Sequence, residues 1–197
     1  DLTLQVVQAE SAEYEQTAEK HAQGALIFIA PPVDAFEVLA RLWQNGTRLV
    51  VMGASWQSSL FPCVDSDNFG GARRAVEYLL SLGHRNIAYL NGWQGSTTCA
   101  DRLRGYLQAM EKWNAPVSPE WIVQAGSDSH LSVEARQQMT DLLIRTERVT
   151  AIFTAGYYLA LETLTLLRSL GLRVPEDVSI VSFDDPSSAA HLNPPLS

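Results

Sequence analysis

The chain has 197 residues, 46% of them hydrophobic and 18% charged, with a formal net charge of −8. This length buries a full core, as one domain or two small lobes, and the balance excludes a disordered chain. A nucleic-acid surface needs clustered Lys and Arg to displace counterions, and Arg73 with Arg74 and Arg102 with Arg104 are the only short basic clusters, so this segment alone is not expected to bind DNA well.

Strands and helices alternate along the chain. A short strand over residues 4–7 is followed by a helix over 11–23, with Ser11 as its candidate N-cap. Residues 25–29 form a continuous apolar run that suits a strand buried on both faces. Asp34 with Glu37 reads as a capping box. The helix it opens carries Phe36, Leu39, Ala40 and Trp43 on one face, with Gly46 just past its end. Residues 49–52 are the next buried strand, and 63–67 a shorter one. Asp67 or Asn68 caps a helix with the apolar stripe Ala72, Ala75, Val76, Leu79 and Leu80, which Gly83 ends.

A strand over 87–90 precedes a helix over 99–113, with Leu103, Tyr106, Leu107 and Met110 inside. Then come a strand over 121–124, beginning at a core Trp121, and a helix opened by Ser132 with Ala135, Met139, Leu142 and Leu143 inside. A strand over 150–154, a helix with Ala160, Leu164 and Leu167 inside, and a strand over 178–183 complete the series. About nine strands alternating with such helices imply an α/β fold of βαβ units with parallel sheets and right-handed crossovers. The polar, turn-rich residues 56–62 and the very short strand after them mark a passage between two lobes near Asp67.

The longest apolar runs, 25–30 and 48–54, are too short to span a bilayer, so no membrane partner is expected. No basic region followed by an apolar stretch opens the chain, and the expected location is the cytoplasm. Cys63 and Cys99 make no disulfide framework or metal motif and read as buried free thiols. His21, His84, His130 and His191 have no metal-ligand spacing. Ser55 lies in a segment like a nucleophile elbow, but Gln57 stands where that motif needs glycine. No dinucleotide fingerprint or phosphate loop follows a strand, so neither a cofactor nor an enzyme is expected.

The last strand runs into Asp184 and Asp185, whose side chains point to opposite faces. In open α/β sheets ligands sit beyond the carboxyl ends of the strands. Asp184 is the candidate for gripping a polar small molecule, and Asp185 reads as a turn or cap residue. A carboxylate accepts from neighbouring hydroxyls and a guanidinium donates to others, which suits a polyol. Arg102, downstream of the polar loop over 92–98, is the candidate donor, with a surface arginine as the alternative.

Three segments, residues 82–92 (with Gly83, His84 and Arg85), residues 102–106 with Ala109, and residues 174–185 continuing through 194–197, together resemble the ligand-sensing domain of the lactose/galactose-repressor (LacI/GalR) family of bacterial transcription regulators. In this order and spacing they are highly specific, and the resemblance covers essentially the whole chain. It implies two Rossmann-like lobes, as in the periplasmic sugar-binding proteins, with an effector in the cleft between them. The divisions it implies are an N-terminal lobe over 1–67, a C-terminal lobe over 68–185, and the start of a return crossover over 186–197. It also implies a homodimer that reaches operator DNA through an N-terminal headpiece. That headpiece, the first strand and helix, and the final strands are missing from the pattern, so a sensor truncated at both ends is expected.

The resemblance places the family's effector-binding arginine at Arg102 and its aspartate at Asp184, with Thr98 and Ser96 in the pocket loop. The expected ligand is a sugar or nucleoside-like molecule. Two departures stand out. Gly156 and Tyr157 replace the usual Asn-Asp, and Gly53 replaces an acidic residue seen in several members. Tyr157, Trp93 and Trp56 are aromatic candidates for stacking on a sugar, with packing as the alternative. The rival reading from another class is an extracytoplasmic sugar-binding protein of a transporter.

Overall fold

The computed structural model describes residues 10–21, 23–54, 56, 60–126 and 130–196. The strand expected over 4–7 and the candidate Ser55 lie outside them. The chain divides into two compact units, Asp1–Ser66 with Gly95–Thr98, and Asp67–Gln94 with Cys99–Ser197. Among the described residues there are seven strands, and no helix is long and apolar enough to cross a membrane.

The first unit holds α1 (Tyr14–Lys20), β1 (Leu26–Ile29), α2 (Phe36–Gln44), β2 (Leu49–Met52) and β3 (Cys63–Val64). Its three strands are parallel, in the order β1-β2-β3. Phe28, Leu49 and Val51 point to one face and form a core with Tyr14, Leu39 and Leu42. The other face is open: Ile27, Ile29, Met52 and Val64 are all exposed. This corrects the expectation that residues 25–29 are buried on both faces, because no described helix covers that side.

Capping in this unit also departs from expectation. Glu10, not Ser11, caps the first helical segment, and the Glu13 carboxylate accepts the Glu10 N–H at 3.1 Å. Ser11 is already the first residue of a 3-10 turn, Ser11–Glu13. Asp34 lies inside a second such turn, Val33–Ala35, too late to cap it, and α2 starts without a side-chain cap. Leu42 takes the buried position expected of Trp43, which is exposed.

The second unit holds α3 (Asn68–Ser81), β4 (Ile87–Asn91), α4 (Thr97–Lys112) apart from its first two residues, β5 (Ile122–Gln124), α5 (Val133–Ile144), β6 (Ala151–Thr154), α6 (Tyr157–Ser169) and β7 (Ser179–Ser182). Its sheet is parallel, in the order β5-β4-β6-β7. Every residue of β4 and β6 is buried, as central parallel strands require. Tyr89 stacks against Tyr106 and Phe153, both at 5.3 Å between ring centroids. Leu107 of α4 is exposed instead of buried, and Ala109 takes the inward position beside Met110.

Local signals set the helix ends here. The Asp67 carboxylate accepts the Gly70 N–H at 2.7 Å, and the Ser132 hydroxyl accepts the Ala135 N–H at 3.1 Å. Gly83 ends α3 at φ +96, a left-handed conformation in which other residues are strained. Gly105 brings α4 hard against α3. A Cβ there would lie 2.9 Å from both the Ala72 Cβ and the Arg73 nitrogen, and closer still to the Phe69 carbonyl oxygen.

The strand order positions the site. From β4 the chain passes to β5 at one edge, then returns across β4 to β6 and β7 on the other side. The connections leaving β4 and β6 therefore diverge, which makes their carboxyl ends the switch point where α/β sheets hold ligands.

Candidate functional site

Arg102 stands in the first half of α4, which follows β4. Its Nε donates to Asn68 Oδ1 at 2.9 Å, and its Nη1 donates to the Ala155 carbonyl oxygen just past β6. The guanidinium carbon lies 3.7 Å from the Phe183 ring centroid. Cation–π attraction adds to the packing there. Nη1 is 3.8 Å from Asp184 Oδ2, with the arginine side chain 14% exposed and the carboxylate side chain 53% exposed. Residues that follow β4, β6 and β7 thus meet around one charged pair.

Asn68 is available for this contact because Asp67 performs the capping. Both were capping candidates in the sequence, and only Asp67 bonds to the Gly70 N–H. Asn68 is buried, at 3% exposure. Phe183 fits beneath Arg102 because Gly71 is opposite: a Cβ on Gly71 would sit 2.7 Å from Phe183 Cε2. Gly156 has φ −174, an extended value open to any residue. A Cβ there would meet Asp184 Oδ2 at 3.2 Å and Arg102 Nη1 at 4.0 Å. Glycine at 156 therefore provides room, not backbone freedom.

A buried polar chain stabilises the end of β4. Tyr89 Oη donates to Asn91 Oδ1 at 2.9 Å, Asn91 Nδ2 donates to Gln124 Oε1 at 3.0 Å, and Gln124 Nε2 donates to the Gly92 carbonyl. Burial pushes the Tyr89 phenol well above its ordinary range, so it stays protonated and remains a donor. Ser96 Oγ and Thr98 Oγ1 lie 2.7 Å apart, in the Gly95–Thr98 segment that belongs to the first unit. The Tyr157 hydroxyl accepts from Ser188 Oγ at 3.1 Å, joining the start of α6 to the 3-10 turn Ser187–His191. Asp185 is exposed, and the cap of that turn is Pro186.

The aromatic candidates differ in setting. Trp93 is 38% exposed. Trp56 belongs to a packed cluster with Phe36 and Phe61, and its Nε1 donates to the Val33 carbonyl at 3.2 Å. Cys99 is buried and Cys63 half-buried, both as free thiols. Among the described residues no group of three or more His, Cys, Asp or Glu is arranged to hold a metal ion.

Residues 76–197 match the periplasmic binding protein-like domain. The chain belongs to that family. As a periplasmic binding protein-like domain it carries Ser96, Thr98, Arg102, Tyr157 and Asp184 inside the matched region. It is 30% identical over 179 residues to the HTH-type transcriptional repressor PurR of Yersinia pestis bv. Antiqua (strain Antiqua), covering 91% of this chain and 52% of the relative. The chain spans about half the length of the curated relatives it matches.

Among solved structures, it is similar to a LacI-family regulatory protein from Chloroflexus aggregans, with TM-score 0.81 and 29% identity, covering 95% of this chain and 66% of that one. It is also similar to a complex of the transcriptional regulator CelR with cellobiose, with TM-score 0.79 and 29% identity, covering 94% and 57% respectively. The resemblance to LacI/GalR regulators drawn from the three sequence segments therefore holds, as does the α/β class with parallel sheets. These relatives are named as transcription regulators.

Proposed function

We propose that this chain is the effector-sensing part of a bacterial DNA-binding repressor. The ligand is a sugar or nucleoside-like molecule. Arg102 donates to it, Asp184 accepts from it, and Ser96, Thr98 and Tyr157 add polar and ring contacts. The observation that carries the reading is the meeting of Arg102 and Asp184, 3.8 Å apart, at the switch point of the second sheet. It is supported by relatives named as repressors and by one solved with cellobiose.

The intact protein is proposed to act in the cytoplasm as a homodimer, with operator DNA bound by a headpiece N-terminal to this chain. Effector shifts the protein between two states of different DNA affinity, and linkage makes the effect reciprocal. The test is a fluorescence-anisotropy titration of the intact protein on DNA from upstream of its own gene, with and without each member of a sugar and nucleoside panel. A change of DNA affinity with one member is expected. Unchanged affinity with every member removes the proposal.

A further inference from the structure

We infer that Gln124 is a positioning residue of the effector site: its side-chain amide holds the Gly92 carbonyl and so sets where the polar loop carrying Ser96 and Thr98 leaves the sheet. The inference rests on the effector-site reading and adds a residue from β5, the one strand of the second sheet whose end supplies none of the proposed ligand contacts. Gln124 is the last residue of β5, half-buried, and in register with Asn91, the last residue of β4. The bonds joining them run one way. Tyr89 Oη donates to Asn91 Oδ1, which turns Asn91 Nδ2 toward Gln124 Oε1 at 3.0 Å. That leaves Gln124 Nε2 to donate to the Gly92 carbonyl. Burial keeps the Tyr89 phenol protonated, and so keeps it a donor to Asn91.

Gly92 is buried, and it lies beside the groups that hold Arg102. A Cβ on it would be 2.7 Å from Cys99 Sγ, on the helix that carries Arg102, and 3.9 Å from Ala155 Cβ. Ala155 donates its N–H to the Leu90 carbonyl at 2.9 Å and offers its own carbonyl to Arg102 Nη1. Gly92 therefore sits between the arginine's helix and the arginine's anchor. Without Gln124 its buried carbonyl loses that donor and must turn to find another. The chain that follows turns with it, and Ser96 and Thr98 move relative to Arg102.

The test uses the intact protein and two variants. Gln124→Met keeps the bulk and removes both bonds. Gln124→Glu keeps the acceptor for Asn91 but, when ionised, sets a carboxylate oxygen against the Gly92 carbonyl; protonated, its O–H donates as the amide did. The first readout needs no ligand: the backbone resonances of Gly92, Trp93, Ser96 and Thr98 should move in Gln124→Met. The second is calorimetry with cellobiose, ribose and adenosine as probes, at a temperature where every form is folded. Any probe the wild type binds should bind Gln124→Met about tenfold more weakly. Gln124→Glu should approach the wild type at about pH 5 and fall well below it at about pH 8, each compared with the wild type at the same pH. Unmoved loop resonances, undiminished affinity in Gln124→Met, or a Gln124→Glu deficit equal at both pH values overturns this inference and leaves the effector site standing. A wild type that binds none of the probes overturns the effector-site reading, and this inference with it.

Discussion

Asn68 Oδ1 accepts the Nε–H of Arg102 at 2.9 Å, from a side chain that is 3% exposed. The bond joins the first residue of α3 to the first half of α4. It fixes the arginine's roll, and so decides which nitrogen faces outward. A hydrogen bond to a charged group in such a setting contributes more than an exposed one.

Replacing Asn68 by Ala leaves Nε without its acceptor in a largely buried position. The expected loss is about 1–3 kcal/mol of folding stability, read from urea unfolding. Asn68→Asp restores an acceptor and should recover most of it. Identical urea midpoints for Asn68→Ala and the wild type would show that the bond contributes nothing.

Gly105→Ala should destabilise by about 1–3 kcal/mol, because the new methyl enters the contact between α3 and α4. Chemical denaturation measures this directly. A neutral result means the two helices yield easily, and Gly105 is not needed for the close approach.

Gly156→Ala tests room separately from fold. The extended backbone admits alanine, so stability should change by no more than about 0.5 kcal/mol. The methyl stands 3.2 Å from Asp184 Oδ2, so binding of the proposed effector should weaken. Thermal unfolding and calorimetry on the same variant separate the two, and undiminished affinity would count against a size limit at this position.

Burial lowers the His84 imidazole pKa below its ordinary 6.5, beside a 2.9 Å contact with Thr150 Oγ1. The unfolded histidine therefore takes up its proton first as pH falls. Its contribution to stability is complete above 6.5 and is lost as pH drops from there through the lowered folded value. Between about pH 7.5 and pH 5.5 the melting temperature of His84→Gln should fall less than that of the wild type. Equal falls would remove His84 as the cause.

Much of the second unit was legible because its apolar runs are short and bounded by strong signals, such as Ser132 before α5 and Gly83 after α3. The first unit was less legible. The run over 25–29 has the composition of a doubly buried strand, but whether a helix covers each face is a tertiary matter that Ile27 and Ile29 do not encode. At the site, Arg102 and Asp184 were visible through motif and strand end. Asn68 and Phe183 were not assigned to it, because their roles depend on which residue caps α3 and on the space left by Gly71. The Asp67-Asn68 pair was the available signal, since one cap needs only one of them.

The most direct test is calorimetry of the intact protein against neutral sugars and nucleosides, with Arg102→Ala and Asp184→Ala measured beside the wild type. The predicted result is binding of at least one member by the wild type, with each variant weaker by about tenfold or more. No binding by the wild type, or unchanged binding in both variants, would contradict the assignment of Arg102 and Asp184 as the effector's grip.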